Sequence, residues 1–178
     1  MRKTETLHII LELVTILSNI VIGVTILTFL WQKVEASKSY IGSIILAIGT
    51  TELVEFFSLS DLAKRRDIPN AIVAIASMIF GFTLLFLRID LKMTCILWGA
   101  FSIAFQVAKI FNAGYNLLKQ PFLNSVIIIL CIIELILSVF LIVKTVDSLH
   151  THLMFVGISL LVESFLLIVE FVIHRYQK

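Results

Sequence analysis

Six long apolar runs constrain this chain more than any other feature of its sequence. Of its 178 residues, 60% are hydrophobic and only 15% are charged, whereas about 25% of the residues in a soluble protein are charged. A membrane-spanning helix takes about 20 mostly apolar residues, so six spans leave no room for a folded domain outside the bilayer. The composition therefore excludes a soluble enzyme, a disordered chain and a nucleic-acid-binding module.

The apolar runs predict six transmembrane helices in a single domain over residues 1–178. The predicted spans are about 7–31, 40–58, 69–88, 93–113, 122–144 and 152–174. Helices are expected because a backbone exposed to lipid has to satisfy its own hydrogen bonds. The first run contains Glu12 and lacks a small-residue cleavage site, so we expect a retained helix rather than a signal peptide. The predicted fold class is an all-α integral membrane six-helix bundle.

The distribution of basic residues predicts the orientation of the bundle. Six spans place both termini on the same side of the membrane. Eight of the 14 lysines and arginines fall on that side and five on the opposite side. Because cytoplasmic segments carry the excess of Lys and Arg, both termini are predicted to be cytoplasmic.

Two series of small residues recur along the chain and indicate an internal repeat. The first series is Gly23, Gly81 and Ser138, and the second is Gly42, Gly99 and Gly157, with spacings of 57 or 58 residues. The two series stand in register. We therefore predict one two-helix hairpin repeated three times, over about 7–58, 69–113 and 122–174, with all three hairpins in the same membrane orientation.

Both series predict surfaces on which helices pack. Asn19, Ser77 and Glu134 stand four residues before the members of the first series. Residues at i and i+4 share one face of a helix. Small residues there let backbones approach, and a polar neighbour can form a hydrogen bond to the next helix.

Polar residues follow the second series and predict an ion pair. Glu52 and Lys109 each stand ten residues after their glycine, so they should lie at the same depth in the bilayer. We expect them to pair, with Glu55 or Gln106 completing the hydrogen bonds. The pair either locks two helices together or takes part in function.

Two further carboxyl groups lie near the middle of predicted spans. Glu134 and Glu163 have no basic residue at matching depth, and an ionised side chain there costs about 2.5–3.5 kcal/mol. An unpaired carboxyl group in a low-dielectric interior tends to stay protonated. The two groups are thus either a proton-responsive site or neutral acids that bond neighbouring helices, and the sequence leaves open whether they are adjacent.

No other residues form a recognisable catalytic or metal-binding motif. Cys95 and Cys131 are isolated within apolar runs, where a buried, unreactive cysteine is expected. His150 and His152 fall in the last predicted connection, where solvated loop residues are expected. Neither a hydrolase triad nor a phosphate-binding loop is present in the sequence. We therefore expect a protein without enzymatic activity, metal or cofactor.

The hairpins resemble the HdeD-like acid-resistance membrane proteins, a family of small bacterial six-span proteins. The likeness lies in the segments IFGFTLLF at 79–86, ILWGAF at 96–101 and FQVAKI at 105–110. Many members have a proline after the first helix of each repeat, whereas this chain has the sequence RID at 88–90 there. The resemblance implies a six-span bundle and a link to survival of acid stress, and it brings no catalytic residues.

These observations predict a non-enzymatic protein of the bacterial inner membrane that acts in acid or envelope stress. Its expected partner is the lipid bilayer, with self-association or a second membrane protein left open and nucleic acid excluded. The alternative is a transporter or channel for protons or a small molecule, or the substrate-binding subunit of a transporter. A cavity on the repeat axis lined by Glu52, Gln106, Lys109 and Glu163 would favour transport, and a dry, closed core would favour a structural or regulatory role.

Overall fold

The computed structural model describes residues 2–32, 37–58, 61–87, 89–116 and 121–176, and these form six α-helices. The helices are α1 (Arg2–Trp31), α2 (Lys38–Ser58), α3 (Asp61–Phe86), α4 (Leu91–Asn116), α5 (Pro121–Lys144) and α6 (Val146–Tyr176). The described part of the chain contains no strand. The predicted all-α bundle is therefore confirmed.

Five of these helices are long and apolar enough to cross a membrane, which indicates a multi-pass membrane protein. Their spans are Ile9–Trp31, Lys38–Phe57, Leu91–Gly114, Pro121–Lys144 and Val146–Val169. The apolar part of α3, Ala71–Phe86, is shorter. It exposes Ile72, Ile75, Ile79, Phe82 and Phe86, a spacing that puts one apolar stripe on the outside of the helix. An exposed apolar stripe of this kind is suited to contact with lipid chains.

The tightest packing in the bundle joins different hairpins. The most extensive interfaces are α2 with α3, α4 with α5, and α6 with α1, whereas the two helices of each predicted hairpin contact each other less. The last helix therefore returns to the first, and the helices close into a ring in which tight and loose interfaces alternate.

Each tight interface contains one member of each small-residue series. Gly42 faces Gly81 in α2/α3, Gly99 faces Ser138 in α4/α5, and Gly157 faces Gly23 in α6/α1. A Cβ atom on Gly81 would lie 2.6 Å from the backbone nitrogen of Leu46 and 2.7 Å from the carbonyl oxygen of Gly42. Such distances exclude any side chain without movement of the backbone. The two series thus meet in pairs, as a threefold repeat requires.

Two of the polar residues next to the first series, Asn19 and Ser77, are buried. In α4/α5 a hydrogen bond of 2.7 Å joins the hydroxyl groups of Ser138 and Ser102. A polar contact between helices supplements the close backbone approach, as expected for transmembrane packing.

An apolar cluster fills the end of the bundle opposite the termini, where the α1–α2, α3–α4 and α5–α6 connections lie. We call it the apolar plug. It consists of Ile26, Ile41, Ile44, Ile45, Phe80, Leu84, Cys95, Trp98, Leu141, Leu149, Leu153, Val156 and Leu160. All six helices contribute to it, so the core is closed at this end.

The connection between α5 and α6 is shorter than the sequence predicts. Thr145 alone separates the two helices, with φ of 47°, a conformation that costs a β-branched residue about 1–3 kcal/mol. The Ser148 hydroxyl shares its single proton between the carbonyl oxygens of Phe140 and Thr145, at 3.0 and 3.1 Å. Ser148 thus links the end of α5 to the turn, and α6 begins at Val146 instead of 152. The expectation that His152 is a solvated loop residue is wrong, because it is buried within α6.

Substituting Gly81 with Ala tests the close approach of α2 and α3. The added Cβ has backbone atoms within 3.0 Å, so Gly81→Ala should destabilise the bundle by about 1–3 kcal/mol, as overpacking of a core does. The thermal unfolding midpoint in detergent micelles measures this loss.

Gly114→Ala is the matched control, because nothing lies within 4 Å of a Cβ at that position. It should leave the midpoint unchanged or raise it slightly, since Ala is favoured over Gly in a helix by up to about 1 kcal/mol. Equal midpoints for both variants would contradict the glycine-paired interface.

Candidate functional site

Lys109 of α4 lies between two carboxylates from different helices. Its Nζ is 2.8 Å from Oε1 of Glu52 on α2 and 3.1 and 3.2 Å from the two carboxylate oxygens of Glu163 on α6. The exposed fractions of the three side chains are 13%, 9% and 16%. The Glu52–Lys109 pair expected from matching depth is therefore present.

The expectation that Glu163 has no basic partner is wrong. Glu163 stands six residues after Gly157, and Lys109 stands ten residues after Gly99. This difference of four residues is about 6 Å along a helix axis. The flexible four-carbon stem of lysine spans that distance, so comparing depths from Cα positions alone misses the contact.

Glu134 of α5 joins the same group of side chains. Its carboxyl group interacts electrostatically with Lys109, Glu163 and Glu52 and with the Ser159 hydroxyl of α6. We call Glu52, Lys109, Glu134 and Glu163 the carboxylate cluster. The structure thus brings Glu134 and Glu163 into one site, which the sequence left open.

The carboxylate cluster holds more acidic than basic groups. It has three carboxyl groups and one ammonium group, so full ionisation would leave an excess of negative charge in the bundle interior. An uncompensated buried charge is strongly destabilising. Protonation of carboxyl groups in the cluster would remove this excess. An ion pair of Glu52 and Lys109 alone carries no net charge and would not need to bind a proton.

A cavity of about 50 Å³ adjoins the cluster. Its lining combines carboxyl, hydroxyl and amide groups with aromatic and aliphatic side chains: Ile45, Ile48, Glu52, Ser77, Trp98, Phe101, Ser102, Phe105, Gln106, Lys109, Glu134, Val156, Ser159, Leu160 and Glu163. The volume is enough for a few water molecules, and the polar groups are the partners that buried water needs. The four residues that the sequence grouped around a cavity, Glu52, Gln106, Lys109 and Glu163, therefore line the same cavity.

The cavity is polar at the cluster and apolar toward the plug. Trp98 and Val156 belong to both the lining and the apolar plug. The ring of Phe105 lies beneath Lys109, with Nζ 4.9 Å from the ring centroid. The plug therefore separates the cavity from the end of the bundle opposite the termini.

Gln106 faces the cavity and does not complete the ion pair. It is buried, with an exposed fraction of 3%, and it lines the cavity. Glu163 contacts Lys109 where Gln106 was expected to complete the hydrogen bonds. Glu55, the other expected partner, lies on α2 one turn beyond Glu52.

Sequence reasoning did not identify Ser159, Trp98 or the phenylalanine rings as part of the site. Helical spacing could have found Ser159, because it stands four residues before Glu163 and shares its face. Within the ranges that the structure describes, no three His, Cys, Asp or Glu side chains are arranged to hold a metal ion. Cys95 and Cys131 are buried free thiols.

Part of the chain is similar to a known family of short repeats. Residues 14–86 match the family described as a short repeat of unknown function, DUF308, to which HdeD-like proteins belong. The matched stretch covers most of α1, all of α2 and α3, and thus the first hairpin with the helix that packs on it. No curated protein and no solved structure matches the chain.

Replacing Lys109 with Met tests the balance of charge in the cluster. Lys109→Met leaves Glu52 and Glu163 without their cation, so at neutral pH it should destabilise the bundle by about 3–5 kcal/mol, as removal of one partner of a buried ion pair does. The loss should shrink on acidification, because protonated carboxyl groups need no cation. Thermal midpoints measured across pH show both effects.

Lys92→Met is the control, since Lys92 is exposed at the start of α4. It should change the midpoint little at any pH. A Lys109→Met variant as stable as Lys92→Met at neutral pH would show that the cluster is already neutral without its lysine.

Proposed function

We propose that this chain is a non-enzymatic protein of the bacterial inner membrane that responds to acidification through the carboxylate cluster. Protons bind the excess carboxyl groups when the pH falls and remove negative charge from the interior of the bundle. This chemistry suits a role in acid or envelope stress. The observation that carries the proposal is one ammonium group shared by Glu52 and Glu163, with Glu134 as a third carboxyl group in the same site.

Protonation of the cluster would change how the helices are held together. Glu52, Lys109, Glu134 and Glu163 come from four different helices. The Lys109–Glu163 contact joins α4 to α6, which otherwise contact each other little. A proton on Glu163 weakens its attraction to Lys109, so acidification loosens a contact across the bundle. This is the change of state that a sensor requires.

Infrared spectroscopy tests proton uptake directly. Acidifying bilayer-reconstituted protein from about pH 7.5 to about pH 5 should produce the carbonyl stretch of protonated glutamic acid. The Glu134→Gln, Glu163→Gln double variant should lose most of this signal, because it removes two of the three titrating groups.

Asp147→Asn is the matched control, because Asp147 is exposed in the first turn of α6. It should leave the buried carbonyl band unchanged. A double variant with the wild-type band would contradict the assignment of proton uptake to the cluster, and absence of any band from the wild type would contradict the proposed function itself.

Proton transport is the second candidate, and the cavity favours it. A few waters between the cluster and Ser77, Ser102 and Gln106 would supply a hydrogen-bonded route for protons. The apolar plug closes the opposite end, so net flux requires the plug to open. A sensor needs only the cluster, whereas a transporter needs the cavity as well.

Filling the cavity separates the two candidates. Ser77 is buried and lines the cavity, so Ser77→Leu should place an aliphatic side chain where water would sit. If the protein conducts protons, Ser77→Leu should abolish pH-gradient-driven flux in proteoliposomes while the infrared carbonyl band remains. Wild-type flux no greater than that of protein-free vesicles would reject transport and leave the sensor.

A further inference from the structure

His152 is an unusual buried side chain beside the apolar plug. Its exposed fraction is 1%, and neither ring nitrogen has a hydrogen-bond partner in the described part of the chain. Its ring meets the ring of Trp98 edge-on, with centroids 4.9 Å apart and an angle of 87°. An unsatisfied buried polar group costs about 1–3 kcal/mol, and an apolar ring of similar size would avoid that cost.

Among the residues that the structure describes, none offers His152 a charged partner. The plug residues from α1, α3 and α5 are Ile26, Phe80, Leu84 and Leu141. The titratable groups that other helices bring to this cluster are Tyr40 of α2 and Cys95 of α4, both uncharged at neutral pH. On α6 itself, Asp147 and His150 are exposed. The imidazole therefore contributes nothing to packing that a phenyl ring would not.

The position of His152 connects the plug to the carboxylate cluster. His152, Ser159 and Glu163 stand at intervals of seven and four residues, so they share one face of α6. Ser159 and Glu163 line the cavity, and Trp98 both lines the cavity and contacts His152. From His152 to Glu163 is 11 residues, or about 16 Å along the helix.

We propose that His152 is the proton acceptor through which protons from the end opposite the termini reach the cavity. Imidazole suits this task, because one ring nitrogen can take up a proton while the other releases one. The proton then passes beside Trp98 to water in the cavity and on to Glu134 or Glu163. The role rests on the proposed function, in which the carboxylate cluster is where the protons bind.

A single buried tryptophan makes protonation of His152 measurable. The chain has two tryptophans, and Trp31 is 89% exposed, so Trp31→Phe leaves Trp98 as the only emitter. A protonated imidazole quenches indole fluorescence more strongly than a neutral one does. In liposomes, acidification should therefore quench Trp98, and His152→Phe in the Trp31→Phe background should remove the quenching.

His150→Gln is the matched control, because His150 is exposed two residues away on the same helix. It should retain the quenching. If Trp98 emission does not change with pH, or changes equally in His152→Phe, His152 is not the proton acceptor. A structural role for the imidazole would instead appear as a lower thermal midpoint for His152→Phe, whereas we expect an equal or higher one.

Proton delivery distinguishes this inference from the proposed function. In proteoliposomes acidified on the side opposite the termini, His152→Phe should slow the appearance of the infrared carbonyl band without reducing its final amplitude. Equal rates in wild type and variant would overturn the delivery role of His152 but would leave proton binding by the carboxylate cluster supported. A wild type without the carbonyl band would instead reject the proposed function, and the Trp98 measurement would still decide whether His152 takes up a proton.

Discussion

Close backbone contact at three glycine-containing interfaces is the constraint on which this structure depends. Lipid chains are as apolar as leucine, so apolar helices gain little in a bilayer by hiding their side chains from the solvent. Association must come from packing at short range, and Gly42 against Gly81 provides it because neither residue holds the helices apart. Since the same pair type recurs in all three tight interfaces, the whole ring depends on one kind of contact.

The carboxylate cluster lies where the three predicted repeats differ in sequence. The position ten residues after the second glycine series holds Glu52, Lys109 and Leu167 in the three repeats. A symmetric bundle would place three like residues there, and three carboxylates or three lysines would repel one another. With one acid, one base and one leucine, the position instead leaves Lys109 free to reach Glu163 as well. The repeated helix packing thus places equivalent positions near one another, and the sequence differences between the repeats put groups of opposite charge at those positions.

The sequence predicts the features that depend on spacing and misses those that depend on side-chain reach and tight turns. Apolar runs and the glycine register indicate the helices, their packing positions and the depth of Glu52 relative to Lys109. The contact of Lys109 with Glu163 crosses the bundle, so it requires knowledge of which helices face each other. Burial of His152 depends on the single-residue connection at Thr145. Hydrophobic periodicity does not predict so short a turn or the Ser148 contacts that accompany it.

The number of acidic groups argues against a purely structural role for the carboxylate cluster. An ion pair that only holds two helices together needs one negative and one positive charge, which Glu52 and Lys109 already provide. Glu163 and Glu134 add two acids in a place where each ionised group costs about 2.5–3.5 kcal/mol. The His152 imidazole, which contacts Trp98 of the cavity lining, is a further buried group without a hydrogen-bond partner among the described residues. Packing alone gives no reason for these three side chains, and each of them is of a type that can exchange a proton.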